Sequence, residues 1–201
     1  MKLVGSQTSP YVRKVRVMLA EKGIACEFSE DNVWGEATTV TAINPLTKVP
    51  VLLLDDGTAL YDSSVVTDYL DPIGSPSFIP GGGIARALVK RNESLGDGIT
   101  DAGIAIFLER KRTPDKQDAA WMARQRGKID AGIAALSREL GSQPCLRGES
   151  VTLGDIACAC GLLWLEFRMP EIAWRAQYPN LAAWAARLEA RPSFVASRPP
   201  G

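Results

Sequence analysis

The stretch KLVGSQTSPYVRKVRVMLAEK, residues 2–22, predicts a strand, a polar turn and a helix in immediate succession. Lys2 to Gly5 is typical of a short β-strand. Pro10 to Lys22 carries apolar side chains at spacings of three and four, which is typical of a helix packed on one face. Ser9 suits the N-cap of this helix and Pro10 suits its first position. The stretch therefore predicts an α/β domain at the start of the chain.

The residues that follow continue this alternation of strands and helices. We predict strands at 24–29, 51–54 and 58–61, a weak helix at 35–43, and a helix that begins with Ser63 to Tyr69. Asp55-Asp56-Gly57 is typical of a hairpin turn between the last two strands. The predicted order is β-α-β-α-β-β-α.

A segment rich in proline and glycine, residues 72–83, separates this region from a second one. The pattern beyond it is entirely helical, with helices predicted at 84–112, 116–140, 152–168 and 180–190. We therefore predict an α/β domain at 1–76, a linker at 77–83 and an all-α domain at 84–201.

The second domain contains one strong local motif, Thr152-Leu153-Gly154-Asp155. It fits a capping box, in which Thr152 caps the helix and Asp155 bonds back to the N–H of Thr152. The following residues are apolar on nearly all sides, so this helix should be central. We interpret Asp155 as structural and not catalytic.

The composition excludes several classes of function. The 201 residues include 23 basic and 23 acidic side chains, and this balance argues against a nucleic-acid partner. Histidine is absent, which excludes histidine-dependent catalysis and histidine-ligated metals, and no metal site is predicted. The four cysteines form no C-x-x-C pair, which argues against a zinc ribbon or a dithiol redox centre. Nothing in their spacing suggests a disulfide framework, which favours a reducing compartment. No signal peptide or membrane-spanning stretch is recognised, so we expect a cytoplasmic protein with no membrane partner.

The start of the first helix is a candidate site for chemistry. Ser9-Pro10-Tyr11-Val12 resembles the Cys-Pro-Tyr-Cys site of glutaredoxins, with Ser9 and Val12 in place of the cysteines. A serine cannot exchange disulfides, but its hydroxyl can donate a hydrogen bond to a thiolate of a ligand at this positive helix end. The alternative is that Ser9 is only an N-cap.

Two further motifs suggest what this ligand is. A cis Val49–Pro50 bond would present the backbone N–H and C=O of Val49 to an extended peptide. Asp62-Ser63 opens a helix, where Ser63 suits a carboxylate and Asp62 suits an ammonium group. Simple capping is the alternative for this pair. Together the three sites fit a ligand with a thiol, an extended backbone and a free α-amino-acid end, and glutathione has all three.

With these motifs the chain resembles a bacterial glutathione S-transferase with a serine-type active site. The matching elements are Ser9-Pro10-Tyr11, Asn44-Pro45, Val49-Pro50, Asp62-Ser63 and the box from Thr152 to Asp155. The resemblance implies a thioredoxin-like, glutathione-binding domain at 1–76, a helical-bundle domain at 84–201 and a cytosolic homodimer. Net charges of −4 for residues 1–76 and +4 for the remainder suit antiparallel docking of two subunits.

The resemblance also assigns residues to a glutathione site, which are Ser9, Lys48, Val49, Pro50, Asp62 and Ser63. Ser9 would be catalytic and face the sulfur, with Thr8 as the alternative. Val49 would pair with the cysteinyl backbone, and Asp62 and Ser63 would hold the γ-glutamyl end. The lysine before Val49 is a weaker candidate for a carboxylate contact.

The activity that the resemblance implies is activation of the glutathione thiol for attack on small hydrophobic electrophiles. Glutathione is then a co-substrate, and no other cofactor is expected. The electrophile site should lie between the domains, with Phe107, Ile104 and Trp34 as candidate lining residues. The alternatives are a glutathione-dependent peroxidase and a noncatalytic glutathione-binding or interaction module.

Overall fold

The computed structural model describes residues 1–200, which divide into two units. One unit comprises Met1–Gly81 and the residues from Glu189 onward, and the other comprises Gly82–Leu188. The division falls inside the predicted linker. The last residues, however, pack with the first unit, although the sequence suggested that everything after residue 83 belongs to the helical domain.

The first unit has the predicted thioredoxin-like α/β fold, with sheet order β2-β1-β3-β4. β1 is parallel to β2 and antiparallel to β3, and β3 is antiparallel to β4. Its elements are β1 (Lys2–Gly5), α1 (Pro10–Glu21), β2 (Glu27–Glu30), a 3₁₀ turn (Val40–Ala42), β3 (Val51–Leu53), β4 (Ala59–Leu60), α2 (Ser63–Leu70) and α8 (Pro192–Ala196).

Two predicted elements of this unit differ from the structure. β2 begins three residues later than predicted, because its pairing with β1 starts at Lys2 opposite Glu27 and residues 24–26 have no partner strand. The predicted weak helix at 35–43 is reduced to the 3₁₀ turn Val40–Ala42. The other strands and helices of the first 76 residues lie within one or two residues of their predicted positions.

The C-terminal segment is fastened to α1 by charged side chains, which explains why it belongs to the first unit. Arg191 donates two hydrogen bonds of 2.6 Å to the Glu21 carboxylate, and the Ser193 hydroxyl donates a third at 2.5 Å. Buried Arg13 donates to the carbonyl of Phe194 at 3.2 Å. These contacts join residues that are 170 to 181 positions apart, so no local sequence pattern reports them.

We expect the Glu21–Arg191 contact to make stability depend on pH. The hydrogen bond from Arg191 lowers the pKa of Glu21; burial opposes this effect and Ser193 adds to it. A carboxyl with a depressed folded-state pKa stabilises the protein above its unfolded-state pKa, near 4.5, and this contribution disappears as pH falls through the folded value. Glu21→Gln should therefore lower the free energy of unfolding by about 1 kcal/mol at neutral pH and by less near pH 3.

Urea unfolding at several pH values measures this difference. The control is Glu36→Gln, an exposed carboxylate outside any ion pair, which should change stability little at any pH. If the loss in free energy of unfolding caused by Glu21→Gln stays constant as the pH falls, the ionised carboxylate does not hold the C-terminal segment.

The second unit is the predicted helical bundle. α5 is its central helix, and the residues from Leu153 to Leu165 are all buried. Gly96 of α3 allows the two helices to approach closely. Any larger residue would clash there, because a Cβ on Gly96 would lie 2.7 Å from the backbone nitrogen of Cys158. The helices are α3 (Gly83–Glu109), α4 (Ala119–Leu140), α5 (Leu153–Arg168), α6 (Trp174–Gln177) and α7 (Pro179–Glu189). No helix within residues 1–200 is both long and apolar enough to cross a membrane.

The predicted capping box is confirmed at the start of α5, and its aspartate does more than cap. Fully buried Asp155 accepts hydrogen bonds from the backbone N–H of Thr152 at 2.9 Å and from its hydroxyl at 2.7 Å. It also accepts from the backbone N–H of Leu146 at 2.8 Å and from Nε1 of Trp184 at 3.1 Å. One carboxylate therefore joins the loop before α5, the start of α5, and α7.

Asp155→Ala should destabilise the protein more than loss of an ordinary cap does. The substitution leaves the buried donors of Leu146 and Trp184 and the half-buried donors of Thr152 unpaired, so we expect a loss of about 2–4 kcal/mol in the free energy of unfolding. The matched control is Asp118→Ala, which removes an exposed cap of α4 with one bond to the Trp121 N–H at 2.9 Å and should lose about 0.5–2 kcal/mol.

Urea denaturation of both variants gives the comparison. Equal losses would mean that the additional bonds to Asp155 contribute nothing. An Asp155→Ala protein of normal stability but without activity would instead make Asp155 catalytic.

Candidate functional site

The sheet register brings three of the predicted segments to one edge of the first unit. Val4 of β1 pairs with Val51 of β3, and Leu52 of β3 pairs with Leu60 of β4. Because β3 is antiparallel to both neighbours, its first residue lies beside the last residues of β1 and β4. The turn before α1, the segment before β3 and the start of α2 therefore adjoin at this edge.

Ser9 lies at the start of α1 with its hydroxyl proton available. It is the N-cap, and its Oγ accepts a hydrogen bond from the backbone N–H of Val12 at 3.3 Å. The side chain is half-buried, and no bond within residues 1–200 uses its hydroxyl as a donor. A serine hydroxyl can cap a helix and still donate. Ser9 is therefore an N-cap, as the alternative predicted, and its hydroxyl can still donate a hydrogen bond to a ligand.

The turn between β1 and α1 is held by close packing and by a carboxylate. A Cβ on Gly5 would lie 2.5 Å from Cγ2 of Val12, so β1 and α1 approach as closely as glycine allows. The backbone N–H of Gln7 donates to both carboxylate oxygens of Glu30, at 3.2 and 3.1 Å. The hydroxyl of Thr8, the alternative to Ser9 as the group that faces the sulfur, shares a hydrogen bond of 3.2 Å with the hydroxyl of Ser6.

The Val49–Pro50 bond is cis, as predicted. The side chain of Val49 packs against the buried cluster that contains Val4 and Val51. Among the residues that the structure describes, neither the backbone N–H nor the C=O of Val49 has a hydrogen-bond partner. This backbone is thus open to pairing with an extended ligand, as the sequence analysis proposed.

Buried Asn44 shapes the loop that leads to Val49. Its side-chain amide donates to the carbonyl of Lys48 at 2.8 Å, and its side-chain oxygen accepts from the N–H of Leu46 at 3.0 Å. Asn44 is 1% exposed, whereas the side chain of Lys48 projects to the surface. The sequence analysis noted Asn44 only as part of a motif and did not recognise this role.

Asp62 and Ser63 form the start of α2. Asp62 is the N-cap and accepts from the N–H of Ser64 at 2.9 Å and from its hydroxyl at 2.6 Å. Burial would raise the pKa of Asp62, but the bonds from Ser64 and the charge of Lys14 together hold it below its usual value. Ser63 is 4% exposed, and neither its hydroxyl nor its N–H is bonded in the described chain. The pair offers an ionised carboxylate beside an open N–H and hydroxyl.

Lys14 is a residue of this edge that the sequence analysis missed. It is 1% exposed, and its charge acts on Asp62. The available signal was its place in α1, where Lys14 lies one helical turn before Val17 and Met18 and so shares an apolar face with them. A buried lysine generally needs an anionic partner, which indicates a charged site nearby.

The loop after β2 adds a polar cavity at the same edge, where the parallel strands β1 and β2 both end. The cavity has a volume of about 380 Å³ and is lined by residues 29–32, 35 and 37–39. Hydrogen bonds from Thr38 and then Thr39 hold the pKa of Asp31 below its usual value, against a smaller opposing effect of burial. The described residues contain no cluster of histidine, cysteine or acidic groups suited to a metal ion.

This arrangement suits a zwitterionic peptide with a thiol. The start of α1 and the Ser9 hydroxyl can stabilise an anionic atom, and the open backbone of Val49 can pair with an extended chain. The start of α2 can receive a carboxylate and an ammonium group together.

Comparisons with known proteins agree with this interpretation. Residues 3–76 match the family model described as the N-terminal domain of glutathione S-transferase, and residues 119–187 match that of its C-terminal domain. The Escherichia coli protein named "Uncharacterized GST-like protein YibF" is 36% identical over 201 residues, which cover 100% of this chain and 99% of that protein.

Two solved structures extend the likeness to the fold. A glutathione S-transferase from Methylobacterium radiotolerans in complex with glutathione sulfonate has a TM-score of 0.95 and 44% identity, covering 100% of this chain and 95% of that one. A glutathione S-transferase from Methylobacillus flagellatus with glutathione bound has a TM-score of 0.96 and 40% identity, covering 99% of each chain.

The contact between Gly5 and Val12 should control the position of α1. In Gly5→Ala the added methyl group must displace the Val12 side chain, and we expect a loss of about 1–3 kcal/mol in the free energy of unfolding. Gly5→Ala combined with Val12→Ala should lose less than the sum of the two single variants, because the second substitution makes room for the new methyl group. A double-mutant cycle by urea unfolding measures this coupling, and strict additivity would contradict the close contact.

Proposed function

The chain belongs to the glutathione S-transferase family, and we propose that it activates glutathione through Ser9 for attack on small hydrophobic electrophiles. Family membership supports the prediction that it is a glutathione transferase. The serine-type mechanism, the individual roles of the site residues and the class of electrophile are parts of the proposal. Glutathione is the co-substrate, and the proposal requires no other cofactor.

We place the γ-glutamyl end of glutathione at the start of α2. Its carboxylate would accept from the open N–H and hydroxyl of Ser63, and its ammonium group would pair with Asp62. The low pKa of Asp62 keeps this carboxylate ionised at neutral pH. The charge of buried Lys14 acts on Asp62 and contributes to this low pKa.

The middle of the tripeptide would lie along Val49. The unpaired N–H and C=O of Val49 match the C=O and N–H of the cysteinyl residue, as in an added strand. Lys48 precedes Val49 and is the only basic side chain between residues 23 and 85. It is therefore the candidate within this segment for a contact with the glycyl carboxylate, and its exposed position suggests a weak, screened interaction.

The observation that carries the proposal is the geometry of Ser9. Its Oγ accepts from the Val12 N–H, which leaves the hydroxyl proton free to donate to a thiolate at the positive end of α1. The Thr8 hydroxyl remains the alternative, although it shares a hydrogen bond of 3.2 Å with the Ser6 hydroxyl. No cysteine lies in this turn, since the four cysteines are at positions 26, 145, 158 and 160. Direct disulfide exchange by the protein is therefore not part of the proposal.

The proposal also includes assembly as a cytosolic homodimer. Val65 and Tyr69 lie one helical turn apart on α2 and are 47% and 39% exposed. Such an apolar pair on the surface of a helix suits a protein contact. The opposite net charges of residues 1–76 and of the remainder, −4 and +4, support the same expectation.

The test of Ser9 compares turnover of an aryl halide with binding of glutathione. A hydrogen bond to a charged group contributes about 1.5–3 kcal/mol, which corresponds to a drop of roughly one to two units in the thiol pKa. Ser9→Ala should therefore lose about ten- to a hundredfold in turnover at neutral pH. The loss should shrink as the pH rises, because the thiol then ionises without help, and the affinity for glutathione should change little.

Ser6→Ala is the matched control, since it removes a hydroxyl from the same turn without touching Ser9. If Ser9→Ala keeps full activity while Thr8→Val loses it, the sulfur is activated by Thr8 and the role of Ser9 is wrong. Glutathione binding without turnover of any electrophile or peroxide would favour a noncatalytic module. Turnover of peroxides alone would favour a peroxidase.

A further inference from the structure

A cavity in the first unit shares no residue with the candidate glutathione site. It has a volume of about 240 Å³ and is lined mainly by the second half of α1, by β2 and by α8. An apolar cavity of roughly 150 Å³ already holds a benzene molecule, so this one has room for a small organic ligand. Its apolar wall includes Leu3, Leu19, Ile24, Phe28 and Ala196.

The side-chain oxygens of this lining are already bonded within the protein. The carboxylate of Glu27 pairs with Lys2 at 3.2 Å. The hydroxyl of Ser193 donates to Glu21, and that of Ser197 donates to a backbone carbonyl at 3.4 Å. These groups therefore leave little hydrogen-bonding capacity for a ligand, and the polar contact must come from elsewhere in the lining.

Arg16 is the side chain of the lining that has donors to spare. Its Cζ lies 4.9 Å from the ring centroid of Phe28, and its Nη2 donates to the carbonyl of Ala196 at 3.0 Å. Its Nη1 is buried and has no acceptor within residues 1–200. A buried donor without an acceptor is destabilising. A ligand that brings acceptor oxygens would satisfy this donor once the guanidinium turns toward the cavity.

The charge of Arg16 also lacks a direct carboxylate partner. Neither Arg16 nor Arg13, one turn earlier on α1, makes an ion pair in the described part of the chain. Glu30 acts on Arg16 only through its charge, because its carboxylate accepts from the N–H of Gln7. Burial lowers the pKa of Arg16, Glu30 opposes this effect, and the charge of Arg13 adds to it. An anion is therefore the complement of this part of the wall.

We propose that this cavity binds a small aliphatic carboxylate. The carboxylate of the ligand accepts hydrogen bonds from Arg16, whose planar guanidinium matches two oxygens. The alkyl chain packs against Leu3, Leu19 and Ile24. An aliphatic chain suits the wall better than a second ring, since Arg16 already covers the ring of Phe28. This ligand site is separate from the proposed glutathione chemistry.

Binding of octanoate and of its uncharged analogue octanamide tests the proposal, measured by calorimetry without glutathione. The wild type should bind octanoate about three- to tenfold more tightly than octanamide, because only octanoate forms an ion pair with Arg16. Arg16→Gln should bind both compounds equally. The control is Arg198→Gln, which removes an exposed arginine directly after the cavity residue Ser197 and should keep the preference.

The reaction of Cys26 with a thiol reagent locates the bound octanoate. Cys26 lines the cavity and is half-buried, whereas the other three cysteines of the chain are buried. With octanoate at about ten times its Kd, modification of Cys26 should slow about tenfold, in proportion to the protein without ligand. Cys26→Ser should remove this reaction and retain the preference for octanoate.

Three results would overturn the proposal. The first is equal binding of the two compounds, or of neither, by the wild type. The second is a preference that survives in Arg16→Gln or that disappears equally in Arg198→Gln. The third is an unchanged rate of Cys26 modification, which needs only the wild type and so decides the matter even if Arg16→Gln does not fold. Since glutathione is absent, none of these results depends on whether Ser9 activates a thiol.

Discussion

The antiparallel alignment of β3 between β1 and β4 is the constraint on which the candidate site depends. This register places the segment before β3 beside the ends of both neighbouring strands, and each of those strands leads into a helix. Two helix N-termini and one open stretch of backbone meet at one edge for that reason. A shift of β3 by one residue would turn Val51 away from the core cluster that it shares with Val4. The hydrophobic core and the site are therefore fixed by the same pairing.

Charged and polar side chains then hold the loops around this frame. Glu30 fixes the turn before Ser9, Asn44 shapes the loop before Val49, and Glu21 binds the C-terminal segment to α1. Asp155 performs the corresponding task in the helical unit. Each of these side chains bonds to groups on segments that have little regular structure. The irregular segments around the candidate site are thus held in place by hydrogen bonds to these side chains.

Local patterns predicted most of the fold, and tertiary contacts explain the rest. Capping and periodicity located α1, α2 and the box at Asp155, because those signals lie within a few residues. The late start of β2 depends on its pairing with β1, and the docking of the last residues depends on Glu21 and Arg191, which are 170 positions apart. The candidate site residues were predicted from motifs and stay predictions, whereas buried Lys14 was missed because its neighbours in sequence define a helix face and show no charged partner.

The distance between Ser9 Oγ and the sulfur of bound glutathione tests the central claim most directly. A crystal structure of the complex should place the sulfur about 3–3.5 Å from Ser9 Oγ, with the cysteinyl backbone paired to Val49 and the γ-glutamyl carboxylate on Ser63. A sulfur within reach of Thr8 and beyond reach of Ser9 would contradict the assignment of the catalytic hydroxyl. Glutathione bound away from this edge of the sheet would contradict the account of the site itself.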